Sequence, residues 1–181
     1  MSKPANPVET TDNLQDQTMQ RSNTDNAPRS AIHQTLYSAD TFVQHDYLAG
    51  KNLPDIAHPQ EGQINWLHFV GINDVVLLKH ALEPYGIHEL VIEDILSRKQ
   101  RPKIEDYGNY VFTAAQVYHY TSTGKLHSDQ VYVIIGKDFV LSFQQKPLGL
   151  FSHLRRQMHE NPHNILNKNT AFLAYCLLDR I

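Results

Sequence analysis

The rhythm of apolar and polar positions changes several times along this chain, and each change predicts an element. Residues 64–70, INWLHFV, alternate Ile64, Trp66 and, less cleanly, His68 on one face with Leu67 and Phe69 nearby, the pattern of a mostly buried strand. The period then lengthens: Val75, Leu78, Leu82 and Tyr85 recur at helical spacing, with Asn73 as the N-cap and Pro84 and Gly86 ending the helix. A second short helix is predicted over 88–97, with Leu90, Val91, Ile95 and Leu96 on its buried side. Pro102 stops it, because proline lacks an N–H and biases Arg101 away from helical geometry.

Strand periodicity returns in YVFTAAQVYHY, SDQVYVIIG and FVLSFQ, and the turn sequences TSTGK and GKD between them predict antiparallel hairpins. Two amphipathic helices follow, over 148–160 and 168–181. The pattern of the last one runs to Ile181 with no stop signal, so the expectation is a chain that continues into a longer protein. Upstream, HQTLYS and TFVQHDY are short strands, and AGKNLPDIAHPQEG is a loop holding at most one helical turn. Residues 1–33 contain no Phe, Trp or Tyr and are rich in Asn, Thr, Gln, Asp and Pro. Such a stretch cannot bury enough apolar surface to offset the entropy of ordering it, so it is expected to be a disordered polar tail before one domain over 34–181.

Composition narrows the class. With 181 residues, 41% hydrophobic and 19% charged, the chain has a soluble globular profile and room for one core. A net charge of -3 gives no electrostatic reason to expect nucleic acid or an anionic membrane surface as a partner. The single cysteine, Cys176, excludes an internal disulfide framework and fits a reducing compartment. No basic-then-apolar leader begins the sequence, and no apolar run approaches the roughly 20 residues that cross a bilayer.

Enzymatic chemistry finds little support. HENPH, from His159 to His163, matches the zinc-protease pattern, which needs both histidines on one face of an unbroken helix. Asn161 and Pro162 end a helix between them, so the match is read as chance. Phosphate-binding glycine loops and a nucleophile elbow are absent, and Cys176 in AFLAYCLL reads as core. Arg98, Lys99, Arg101 and Lys103 lie among Glu93, Asp94, Glu105 and Asp106, a solvated and mutually neutralising surface. Glu93 and Asp94 remain as candidate metal ligands. Neighbours on a helix diverge by about 100°, so the pair cannot close on one small ion unaided.

Three stretches carry a resemblance. GIHELVIEDILSRKQRPKIEDYGNYVF, SDQVYVIIGKDFVLSFQQK and LAYCLLD resemble the N-terminal cytoplasmic domain of the CorA family of divalent metal ion (Mg²⁺/Co²⁺) transporters, from about Ile64 to Ile181. The resemblance implies an α/β fold with a mixed, largely antiparallel sheet flanked by helices, homopentamers, and two membrane helices beyond a stalk helix. It implies a Mg²⁺-sensing role at subunit interfaces that gates the pore, with Co²⁺, Ni²⁺ or Zn²⁺ as further ions. Asp94 would be the main regulatory ligand, with Glu93 and Asp179 at a neighbouring site. The domain would sit on the cytoplasmic side of the inner membrane, itself soluble and, as this fragment, a monomer or weak dimer. The stalk acid expected to face Asp94, both membrane helices and the Gly-Met-Asn pore motif are not in this sequence. The alternatives are a zinc transporter of the same superfamily and a free-standing soluble metal-sensing module.

Overall fold

Seven strands form one mixed sheet in the order β2-β1-β3-β7-β6-β5-β4 in the computed structural model, which describes residues 30–49, 53–121 and 123–181. They are β1 (Ala31–Tyr37), β2 (Phe42–Leu48), β3 (Ile64–Val70), β4 (Lys103–Asp106), β5 (Tyr110–Tyr120), β6 (Leu126–Gly136) and β7 (Phe139–Gln144). Only β3 and β7 pair in parallel; every other neighbouring pair is antiparallel.

Strand alternation divides the core in two. In β6, Tyr132 and Ile134 enter one apolar cluster while Val131 and Val133 enter another, because successive side chains point to opposite faces of a sheet. The first cluster is covered by α1 (Val75–Leu82) and α2 (Glu89–Ser97), through Leu77, Leu78, Ala81, Leu82, Val91 and Ile95. The second is covered by α3 (Ser152–Glu160) and α4 (Thr170–Leu178), through Leu154, Met158, Leu173 and Leu177. The result is a three-layer sandwich with helices on both faces, the mixed α/β architecture expected.

Several local expectations change. The N-cap of α1 is Asp74, whose carboxylate accepts from Leu77 N at 2.9 Å; Asn73 instead accepts from Arg98 Nη2 at 2.9 Å and Gln145 Nε2 at 2.7 Å. Leu90 is exposed, since α2 turns Val91 and Ile95, an i, i+4 pair, to the core. Strand β1 starts at Ala31 and buries Ile32, inside the stretch assigned to the polar tail; residues 1–29 of that tail lie outside the described residues. The short edge strand β4 was not expected at all. The last two helices are each shorter than their patterns, beginning at Ser152 and Thr170.

A polar row crosses the second face. Asp46, His33, His68 and Ser142 stand opposite one another on β2, β1, β3 and β7. His33 Nδ1 meets Asp46 Oδ1 at 2.7 Å, and Arg155 Nη2 of α3 donates to the same oxygen at 2.8 Å. The His33 and His68 rings stack at 5.9 Å, and Phe151 closes the row edge-on to His68 at 5.1 Å. Ser142 Oγ accepts from Trp66 Nε1 and shares a hydrogen bond with His68 Nδ1, both at 2.9 Å. Burial, with the nearby His33 and Arg155, pushes the His68 pKa down to about 3.

Candidate functional site

The candidate acids lie on α2, whose start is fixed by His88: its side chain accepts from Leu90 N at 3.2 Å. The helix ends at Arg98, a left-handed residue (φ 56°) whose guanidinium donates to Ile72 O at 3.2 Å. With Val91 and Ile95 turned inward, Glu93 and Asp94 fall on the outer surface in different directions. Glu93 is exposed and makes no hydrogen bond or ion pair among the described residues.

Asp94 is partly buried and held by its own chain. Gln100 Nε2 donates to Oδ1 at 2.7 Å, and Lys103 Nζ donates to Oδ2 at 2.8 Å. Gln100 is in turn clamped by Gln130, which accepts from Gln100 N at 3.1 Å and donates to its carbonyl oxygen. Lys103, the first residue of β4, also reaches Glu105 Oε2 at 3.0 Å and lies over the Phe112 ring at 5.5 Å. Its hydrogen bond to Asp94 is the largest influence raising the Lys103 pKa. The site is therefore an acid–ammonium–acid bridge, Asp94–Lys103–Glu105, at the seam between α2 and the sheet edge.

Asp179 caps α4, is exposed, and sends its N–H to Tyr175 O at 2.9 Å. Because α4 covers the second core and α2 the first, Glu93 and Asp179 lie on opposite sides of the sheet. The fold does not bring the three expected ligands together. Among the described residues no group of three His, Cys, Asp or Glu side chains could hold a metal ion. An ion touching both Glu93 and Asp179 would need two copies of the chain. The donor chemistry nevertheless fits a hard cation: Asp94 offers carboxylate oxygens whose present partners are two long, flexible side chains.

Sequence reasoning missed Lys103 and Gln100 as Asp94's partners. The signal was in KIED, where Lys103 and Glu105 alternate with exposed Ile104, placing both charges toward α2. The HENPH reading stands: His159 lies in α3 and His163 in a separate 3₁₀ turn, with the break at Asn161 (φ −137°, ψ 65°). No helix among the described residues is long and apolar enough to cross a membrane.

Comparison with known proteins places these features. The cobalt/magnesium transport protein CorA of Thermotoga maritima is 37% identical over 117 residues, covering 64% of this chain and 33% of that protein. The soluble domain of CorA from Methanocaldococcus jannaschii superposes with a TM-score of 0.64 at 11% identity, over 82% of this chain and 54% of that one. The ZntB cytoplasmic domain of Vibrio parahaemolyticus gives 0.57 at 12% identity, over 82% and 57%. At such identities the structural likeness speaks for the fold. The chain spans about a third of its Thermotoga relative, so that protein's full activity exceeds what these residues hold. The CorA-like Mg²⁺ transporter family model matches residues 61–181, taking in both core clusters' helices and all strands from β3 onward. On that match the chain belongs to the CorA family, a family of transporters rather than enzymes.

Proposed function

We propose that this chain is the cytoplasmic regulatory domain of a magnesium/cobalt transporter, on the inner face of the cell membrane, and that it senses divalent cation at interfaces between copies. Asp94 is the principal ligand, and Glu93 with Asp179 forms a second position across the seam. Mg²⁺ is the ion favoured, since it keeps several waters and takes only one or two carboxylates from protein; Co²⁺, Ni²⁺ and Zn²⁺ compete. The full-length protein is a homopentamer in this reading.

The observation that carries it is the state of Asp94. Its carboxylate is balanced by Lys103, 2.8 Å away, with the two side chains 24% and 27% exposed, so the pair is open to exchange. Such a pair contributes roughly 0–1 kcal/mol, and a divalent ion bound across two copies can displace the ammonium at little cost. With Lys103 drawn aside and no ion, carboxylates facing across a seam repel by about 4 kcal/mol at 4 Å and an effective dielectric near 20. Internal cation thus closes the interfaces, and its loss opens them. With Glu93 and Asp179 on opposite sides of the sheet, the second position requires two copies of the chain in this reading.

Asp94→Ala in the full-length transporter tests the reading by flux. The expected result is flux that persists at high internal Mg²⁺. Closure identical to wild type would remove Asp94 from the role. Repeating the closure assay with Co²⁺, Ni²⁺ and Zn²⁺ ranks the regulatory ion.

A further inference from the structure

The turn end of the β5–β6 hairpin gathers two histidines and an aspartate, remote in sequence from Glu93, Asp94 and Asp179. His119 and His127 stand directly opposite each other in register, so both imidazoles project from the same face. Their ring centres are 6.2 Å apart at a tilt of 31°. Asp129, two residues along β6 from His127 and therefore on the same face, lies 3.7 Å from His119 Nε2. Lys146 Nζ is 3.2 Å from the other Asp129 oxygen and neutralises it.

One atom in this group lacks a partner. His119 Nδ1 is buried and makes no hydrogen bond. At 3.7 Å Asp129 does not hydrogen-bond Nε2. A small rotation of either side chain would make that bond, place the proton on Nε2 and leave a lone pair on Nδ1, the arrangement by which outer carboxylates prepare histidine ligands. A buried acceptor without a donor is costly, and a cation relieves it. His127 is exposed and free to swing toward it.

We propose that His119 and His127 form a cross-strand site for an imidazole-preferring transition-metal ion of the Zn²⁺ or Ni²⁺ class, with Asp129 orienting His119. Metal–imidazole bonds of about 2.0–2.1 Å at a tetrahedral angle place two ligated ring centres roughly 5 Å apart. The pair, 6.2 Å apart, must therefore close by about 1 Å, which the exposed His127 can supply. Water supplies the remaining ligands. The site is chemically unlike the carboxylate position at Asp94: neutral nitrogen donors suit Zn²⁺, Ni²⁺ and Cu²⁺ and discriminate against Mg²⁺. Ion binding ties the two strands together beside their connecting turn, where Tyr118, Tyr120 and Leu126 are exposed on the opposite face. This inference does not depend on the regulatory role of Asp94.

Calorimetric titration of the 181-residue chain with NiCl₂ tests it, with MgCl₂ as the comparison. The expected result is a Ni²⁺ site that excess MgCl₂ does not displace, that loses at least tenfold in affinity in His127→Ala and in His119→Gln, and that is unchanged in the exposed control His163→Ala. His127 is exposed, so its variant keeps the fold even where the His119 change disturbs packing. Ni²⁺-induced broadening of amide signals should centre on residues 117–129. Wild-type affinity in both histidine variants, or broadening centred elsewhere, would overturn the assignment.

Discussion

Asp94 and Asp46 are both carboxylates held by a cation at 2.8 Å, one by Lys103 beneath α2 and the other by Arg155 of α3. Distance alone would make them equivalent, yet what stands behind each differs. Behind Asp46 runs His33, then the sealed His68, then Ser142, with Phe151 as a lid. Behind Asp94 there is only Gln100 and a shared ammonium at the sheet edge. Partial burial would raise the Asp46 pKa, but the His33 hydrogen bond and the Arg155 charge together hold it below the usual carboxylate range. Asp46 is the more exposed of the two acids, 61% against 24%, but its cation Arg155 is only 17% exposed and its His33 partner leads into the buried row, so what holds Asp46 is packed in place. Asp94 is held instead by a lysine shared with Glu105 and by one glutamine, a partly exposed pair in which the ammonium can be exchanged for another cation.

The contrast predicts its largest effect at the lid. Phe151→Ala should cost about 3–5 kcal/mol, because Phe151 is fully buried between Trp66 and His68. Urea denaturation reads this directly, and a cost no larger than that of Asp94→Ala would erase the distinction between the two sides. Next in size is a pH effect. The folded His68 pKa of about 3 lies below the ordinary value of about 6.5, so in that window the unfolded chain takes up a proton the native chain refuses. Stability therefore falls as pH drops below about 6.5, by about 2 kcal/mol at pH 5. The Asp46 contribution, from a depressed carboxylate, is present above about pH 3.9 and is lost only as pH falls through its lower folded value. Denaturation midpoints at pH 7 and pH 5 should converge in His68→Gln; an unchanged gap would place the proton uptake elsewhere. The smallest stability change is expected for Lys103→Met, under about 1 kcal/mol, since the pair is partly exposed. On the proposed regulatory role of Asp94, the same change in the full-length protein should lower the Mg²⁺ concentration for half-closure several-fold, and a rise instead would show that Lys103 helps the ion bind.

Much of this architecture was legible from local pattern. β3, β5, β6 and β7 announce themselves by alternation and by Gly-bearing turns, and α2 by Val91 and Ile95 between His88 and Pro102. What was not legible depends on pairing between distant segments. Nothing near His68 in sequence says that His33 will stack on it or that Ser142 will complete its row; β1, β3 and β7 must first find their register. β4 escaped because four residues with three charges, KIED, carry a weak strand signal at a sheet edge. The same oversight hid the candidate site's geometry: the neutralising surface read around Arg98–Lys103 is in fact a specific bridge from Asp94 through Lys103 to Glu105. Leu90 misled for a simpler reason, since a nine-residue helix buries a narrow stripe and one apolar residue beside it stays wet.

The lone parallel pairing at the sheet's centre has a consequence for how the chain is made. Partner residues such as Asn65 and Phe139 are separated by roughly 70 residues, so during synthesis β3 emerges well before the strand that will cover its open edge. At about 5–20 residues per second the wait is several seconds, long compared with hairpin closure in β5–β6. The nascent domain thus passes through an interval in which the β2-β1-β3 half is formed with the β3 edge open, and the arrival of β7, directly behind β6, is the event that welds the two halves.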